Sequence, residues 1–158
     1  MRNPSVVTLI SASGSFFETL GVTAFRGRMF SDADDRPSGG PAGRVAVISY
    51  AFWQRRFGAD PNIVGRMLDL NNTPTQIVGV MPPDFKFPRL EIDLWMPMPL
   101  DVKRFNPYFY SVAARLRPGV QIGQAQSDTT AILQNFGRQN RNISESVGID
   151  QGAGPTTI

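Results

Sequence analysis

At 158 residues the chain suits one domain or two small lobes, and 41% apolar content with eleven Phe, two Trp and three Tyr excludes global disorder. With neither His nor Cys, it cannot carry a Ser-His-Asp triad, a Cys-His pair, an ordinary zinc site, a disulfide or a histidine pH switch. The net charge of +3 comes almost wholly from arginine scattered along the chain, only Lys86 and Lys103 being lysines, so the clustering that marks a nucleic-acid partner is missing.

In chain order, the β-branched run Val6–Ser11 reads as a strand, and Ser13, Gly14 and Ser15 can cap a short helix through Phe16, Phe17 and Leu20 that Gly21 stops. Ser31–Gly43 is rich in Asp, Pro and Gly and reads as a surface loop, its acidic run Asp32, Asp34 and Asp35 being expected to be solvated. Arg44–Ser49 is the clearest strand signal. Ser49 then stands where an N-cap belongs before a helix over Tyr50–Phe57, ended by Gly58, with Phe52, Trp53 and Phe57 on its core side. The adjacent basic pair Arg55 and Arg56 reads as surface. Met67–Leu70 and Thr75–Val80 bracket Asn71–Pro74 as a hairpin, Met81-Pro82-Pro83 must leave the ladder, and Asp93–Pro97 reads as a short edge strand.

The alternation over Phe109–Leu116 predicts a half-buried strand, Pro118-Gly119 a turn, and Ile122, Ala125, Ile132, Leu133 and Phe136 an amphipathic helix from Ile122 to about Gly137. Residues 138–158 lack periodicity and read as a tail or an incomplete strand. Hairpins without an even βαβ rhythm point to an α+β fold with mixed or antiparallel sheets and a few short helices. No run approaches the roughly 18 consecutive apolar residues of a membrane span, and Met1–Leu9 lacks the apolar region of a signal peptide.

Neither G-x-x-x-x-G-K-[ST] nor a dinucleotide glycine motif occurs, so any energy source lies on another chain or domain. Carboxylates are the one remaining catalytic kit. Glu91 and Asp93, two apart in the expected strand, would point the same way as a hydrolase pair requires, against the plainer reading of a solvated edge pair. Asp32, Asp34 and Asp35 lack the spaced ligands and closing Glu of a calcium loop. The aromatic stretch Phe105–Tyr110 has no basic groove to make it an RNA-stacking platform, and Asn142-Ile143-Ser144 matters as a sequon only in a eukaryotic secretory protein. Catalytic, cofactor-binding and metal-binding residues are therefore read as none, and the chain as no enzyme.

Ordered blocks carry a more specific signal. Ser15-Phe-Phe-Glu-Thr-Leu-Gly-Val22 leads to Gly27-Arg28-Met29-Phe30, then Val45-Ala-Val-Ile-Ser-Tyr-Ala-Phe-Trp-Gln-Arg-Arg-Phe-Gly58 and Asp60-Pro-Asn-Ile-Val-Gly65. Leu70-Asn71, Ile77-Val-Gly-Val-Met-Pro-Pro83, Asp93-Leu-Trp-Met-Pro97, Ala114-Arg-Leu-Arg-Pro-Gly-Val120 and Gln124-Ala125 follow. In that order, over residues 6 to 137, the chain resembles the periplasmic core domain of MacB-like permeases, of the MacB and FtsX kind and especially the acidobacterial type.

The resemblance implies an extracytoplasmic α+β module between membrane helices, made of two lobes, one inserted in the other: residues 1–27 with 107–140 as a porter-like lobe, 28–106 as the insert, and 141–158 as a tail or incomplete strand. It implies a fragment of a longer permease on the periplasmic side of the bacterial inner membrane. Its partners would be a cognate ATPase reached through those helices, a periplasmic adaptor or lipoprotein, and a second permease copy, with no nucleic acid. The function implied is non-catalytic relay of ATP-driven helix motion to an envelope partner or cargo; the alternative is a free-standing envelope module binding a lipoprotein, peptide or lipid.

Overall fold

A strand whose residues are apolar without alternation can be buried on both faces, and Val45-Ala-Val-Ile48 is such a run. The computed structural model describes residues 6–36, 39–87, 91–98 and 111–139. Within the first of two compact units, Met1–Phe105, the elements are β1 (Leu9–Ala12), α1 (Phe16–Leu20), β2 (Arg26–Gly27), a 3-10 turn at Asp32–Asp34, β3 (Val45–Ile48), α2 (Tyr50–Phe57), β4 (Met67–Leu70), β5 (Thr73–Val80) and β6 (Leu94–Pro97). The strands form one sheet in the order β1-β6-β3-β5-β2, with β4 also on β5. β1 is parallel to β6 and β3 to β5, whereas β3–β6, β2–β5 and β4–β5 are antiparallel. The sheet is mixed and the helices are few, as the α+β reading expects.

Side chains of a strand alternate between its faces, and both faces of the central strands are covered. Val45, Val47, Val78 and Trp95 point to a cluster closed by Phe17 of α1, Phe30 and Met81. Ala46, Ile48, Ile77, Leu94 and Met96 point the other way, onto Phe52 and Trp53 of α2 and onto Ile63. The Ser49 hydroxyl caps α2 by accepting the Phe52 amide at 3.1 Å, and Gly58, with φ 58°, ends it. Both features agree with the sequence reading.

Two expectations are corrected. The hairpin loop is Asn71–Asn72 rather than Asn71–Pro74: both asparagines take positive φ, 51° and 61°, so the turn closes in two residues and Pro74 enters β5 opposite Asp69. β6 is no edge strand but lies between β1 and β3; its proline is the last ladder residue, opposite Ala12, where a missing donor interrupts nothing. Pairing runs on through residues 25–28, the Phe25 amide donating to Val80 O at 2.8 Å and the Arg28 amide to Val78 O at 2.9 Å. β1 and β2 find their partners in β6 and β5, so they share one sheet with residues 45–97.

In the second unit, Asn106–Ile158, the described residues make a turn at Pro118–Gly119 and α3 (Ile122–Gln139), which runs two residues past its expected end. Residues 111–116 form no strand and are exposed, while Phe109, Tyr110 and residues 141–158 lie outside the described residues. Alternation marks two faces, but a strand needs a neighbour for its ladder, and none occurs among the described residues of this unit.

Candidate functional site

The polar centre of the first unit is built on the turn after β2. Gly27, with φ 69°, lets the chain bend against β5, where a Cβ would lie 2.2 Å from Val78 O. Arg28 then reaches Asp34 in the 3-10 turn, its two terminal nitrogens donating to the two carboxylate oxygens at 2.8 and 3.0 Å, and the Ser31 amide adds a bond of 2.9 Å. Asp34 is only 2% exposed. The Arg28 hydrogen bonds, ahead of the opposing effect of burial, hold its carboxyl below the usual carboxylate range, and Asp34 in turn raises Arg28. Next to it, burial pushes Asp35 up, although the Gly14 amide donates to its Oδ2 at 2.6 Å. Asp34 and Asp35 are therefore not solvated surface charges, whereas Asp32 is exposed as expected. Asp34 and Asp35 pin the 31–36 loop to α1 and β2, since a carboxylate taken from water is held only by such donors.

The carboxylate pair weighed against a plain solvated reading does not assemble. β6 begins at Leu94, so Glu91 and Asp93 are not in a strand and do not share a strand face. Glu91 is exposed, whereas Asp93 accepts the Thr8 amide at 3.0 Å and pairs with Arg55 at 2.8 Å, tying the start of β1 to α2. Among the described residues no three acidic side chains gather where they could hold a metal.

A further surface went unread in the sequence. Phe25, Tyr50 and Trp53 pack edge to face, with centroids 5.2 Å apart for Phe25–Tyr50 and 5.3 Å for Tyr50–Trp53, and the Arg26 guanidinium lies 5.5 Å from the Trp53 ring and 5.8 Å from Phe25. Phe25 is 48% exposed. No spacing signals this cluster, because β2 meets α2 only once the sheet is ordered. Two clefts complete the surface. One of about 250 Å³ is lined by Gly27, Arg28, Val64, Gly65 and Gln76, and one of about 60 Å³ by Asp34, Arg36, Arg44 and Met96. Both fall short of the roughly 300 Å³ at which small-molecule pockets begin.

These features define a small mixed-sheet α+β module whose buried Asp34 and part-buried Asp35 hold a loop, with no metal centre assembled among the described residues. Comparison with known proteins carries the assignment further. The family model described as MacB-like periplasmic core domain matches residues 1–132. Among curated relatives, a macrolide export ATP-binding/permease protein MacB from Burkholderia thailandensis is 29% identical over 149 residues, covering 88% of this chain and 22% of its own length. Its counterpart in Burkholderia cenocepacia is 30% identical over 146 residues, covering 88% and 21%. The chain thus spans about a fifth of the length of these relatives. The crystal structure of the periplasmic region of MacB from Actinobacillus actinomycetemcomitans shares the fold at a TM-score of 0.58 and 15% identity, over 91% of this chain and 66% of that one. The chain belongs to the family of MacB-like periplasmic core domains, which places it on the periplasmic side of the inner membrane.

Proposed function

We propose that the chain works as the extracytoplasmic module of an ABC-type transporter permease, performing no covalent chemistry and passing the ATP-driven motion of membrane helices to an envelope partner or cargo. The observation that carries this reading is the family match over residues 1–132. The sheet supports it physically: buried apolar clusters cover both faces of its central strands, so the module resists internal deformation and can transmit displacement as a body. Absence of His and Cys, and the engagement of Asp34 and Asp93 in ion pairs, support a non-enzymatic role. The energy source is an ATPase partner or domain, since the chain has no phosphate-binding loop of its own. A periplasmic adaptor or lipoprotein and a second permease copy are the further partners.

The test is to read the genomic sequence on both sides of this segment. Spans of about 20 apolar residues flanking it, with an ATPase encoded in the same or a neighbouring gene, are expected. Flanks without any such span would overturn the permease reading in favour of a free-standing binding module.

A further inference from the structure

Three arginines of the first unit pair with carboxylates, Arg28 with Asp34, Arg55 with Asp93 and Arg66 with Asp60. Arg26, like Arg36, Arg44 and Arg56, has no ion pair among the described residues, but it alone of these four is held over aromatic rings, its exposed side chain lying against Trp53 and Phe25. A guanidinium held by cation–π attraction keeps its N–H donors, which match the two oxygens of a carboxylate. The apolar half of the surface is Phe25, 48% exposed, with Tyr50 packed edge-on against it.

Backbone bonds preset this arrangement. The Phe25 amide is fixed to Val80 O, Arg26 pairs with Val80 in the ladder, Tyr50 opens the capped helix α2, and the Trp53 indole donates to Asp60 O at 2.9 Å. The backbone beneath the site and the Trp53 ring are thus set before binding, and Tyr, Trp and Arg are the side chains that most often carry interface energy.

We infer that Phe25, Arg26 and Tyr50 form a docking point for a protein partner that presents a carboxylate beside an aromatic or aliphatic side chain, the carboxylate taking Arg26 and the apolar group resting on Phe25. A polyanion such as nucleic acid or an anionic bilayer fits less well. Such a ligand needs several free cations together, and among the described residues Arg26 is the one cation held over Phe25 and Trp53. The inference rests on the relay reading for its biological setting, but the two fail separately: flanking sequence decides the relay, and peptide selection decides the surface.

The experiment pans a random dodecapeptide library against the purified chain and against its Arg26→Ala, Phe25→Ala and Arg26→Glu forms, with thermal melts confirming that each is folded. Wild type is expected to enrich peptides with Asp or Glu next to an apolar residue. The peptide it selects should lose about tenfold or more in affinity on Arg26→Ala and on Phe25→Ala, the loss expected of an interface hot spot. Arg26→Glu should turn the selection toward Lys and Arg. No enrichment by wild type, enrichment that ignores charge, or selection unchanged in folded Arg26→Glu overturns the inference. So does Arg26-dependent binding to phosphatidylglycerol vesicles without any peptide preference.

Discussion

An arginine and an aspartate joined by two hydrogen bonds are an ordinary sight on a protein surface, but Asp34 is almost wholly enclosed while Arg28 is half open, and that asymmetry decides what each removal costs. Arg28→Ala leaves a buried carboxylate with Ser31 as its remaining partner. The expected loss is about 2 kcal/mol in urea unfolding, below the roughly 3–5 of a fully buried pair because water reaches Arg28. The pH dependence follows from the signs. Asp34 is held below its ordinary 3.8, so its stabilising contribution is complete above that value and is lost as pH falls from there through its folded-state pKa. Arg28→Ala should therefore matter most near neutrality, and its effect should shrink in acid. Asp35 is raised by burial, so its ionised form costs stability at neutral pH and protonation relieves that cost as pH falls through the raised value. Asp35→Asn is then expected to hold or gain stability at neutral pH, with the difference narrowing toward pH 3.8, in the same unfolding series. Glu91→Ala should stay within about 0.5 kcal/mol of wild type, as at any exposed unpartnered site, whereas Asp93→Ala removes the acceptor of the Thr8 amide and of Arg55 and should lower stability by about 1 kcal/mol.

At the scale of elements, local signals were legible where the chemistry is local. The strand Val45–Ile48, the Ser49 cap, the Gly58 stop and the β4–β5 pairing all rest on neighbours within a few residues, and the structure has each of them. What was not legible depends on distant partners. Asp93–Pro97 reads as an edge strand because of its proline, yet the place of β6 between β1 and β3 goes with the burial of Leu94 and Trp95, which no local rule conveys. The acidic run reads as solvent-facing because its guanidinium partner comes from the neighbouring β2 turn, and Phe25–Arg26 reads as nothing because its ring partners sit on α2. Ser49→Ala should cost about 1 kcal/mol by freeing the Phe52 amide at the helix start. Gly79→Ala should cost about 3 kcal/mol, near the upper end for overpacking, because a Cβ there would lie 2.1 Å from Arg28 O. Gly58→Ala, open in space but at positive φ, should cost about 1 kcal/mol. Thermal melts of the three variants check the order.

Under the proposed relay the first unit is a stiff body that moves rather than one that reacts, and since this chain has no cysteine of its own, that can be measured with introduced cysteines in a permease whose other cysteines have been replaced. Gln54 on α2 and Asp69 on β4 are both exposed and suited to spin labels. In the intact permease in lipid, the Gln54→Cys, Asp69→Cys pair should keep one narrow distance distribution with and without ATP, because both positions belong to the same two-faced sheet unit. Gln54→Cys alone, measured against labelled lipid headgroups, should change its distance when ATP is bound and hydrolysed. That combination, a constant distance inside the module and a changing one outside it, is the result the relay account predicts; a headgroup distance indifferent to ATP, or an internal distance that shifts with it, would contradict the account.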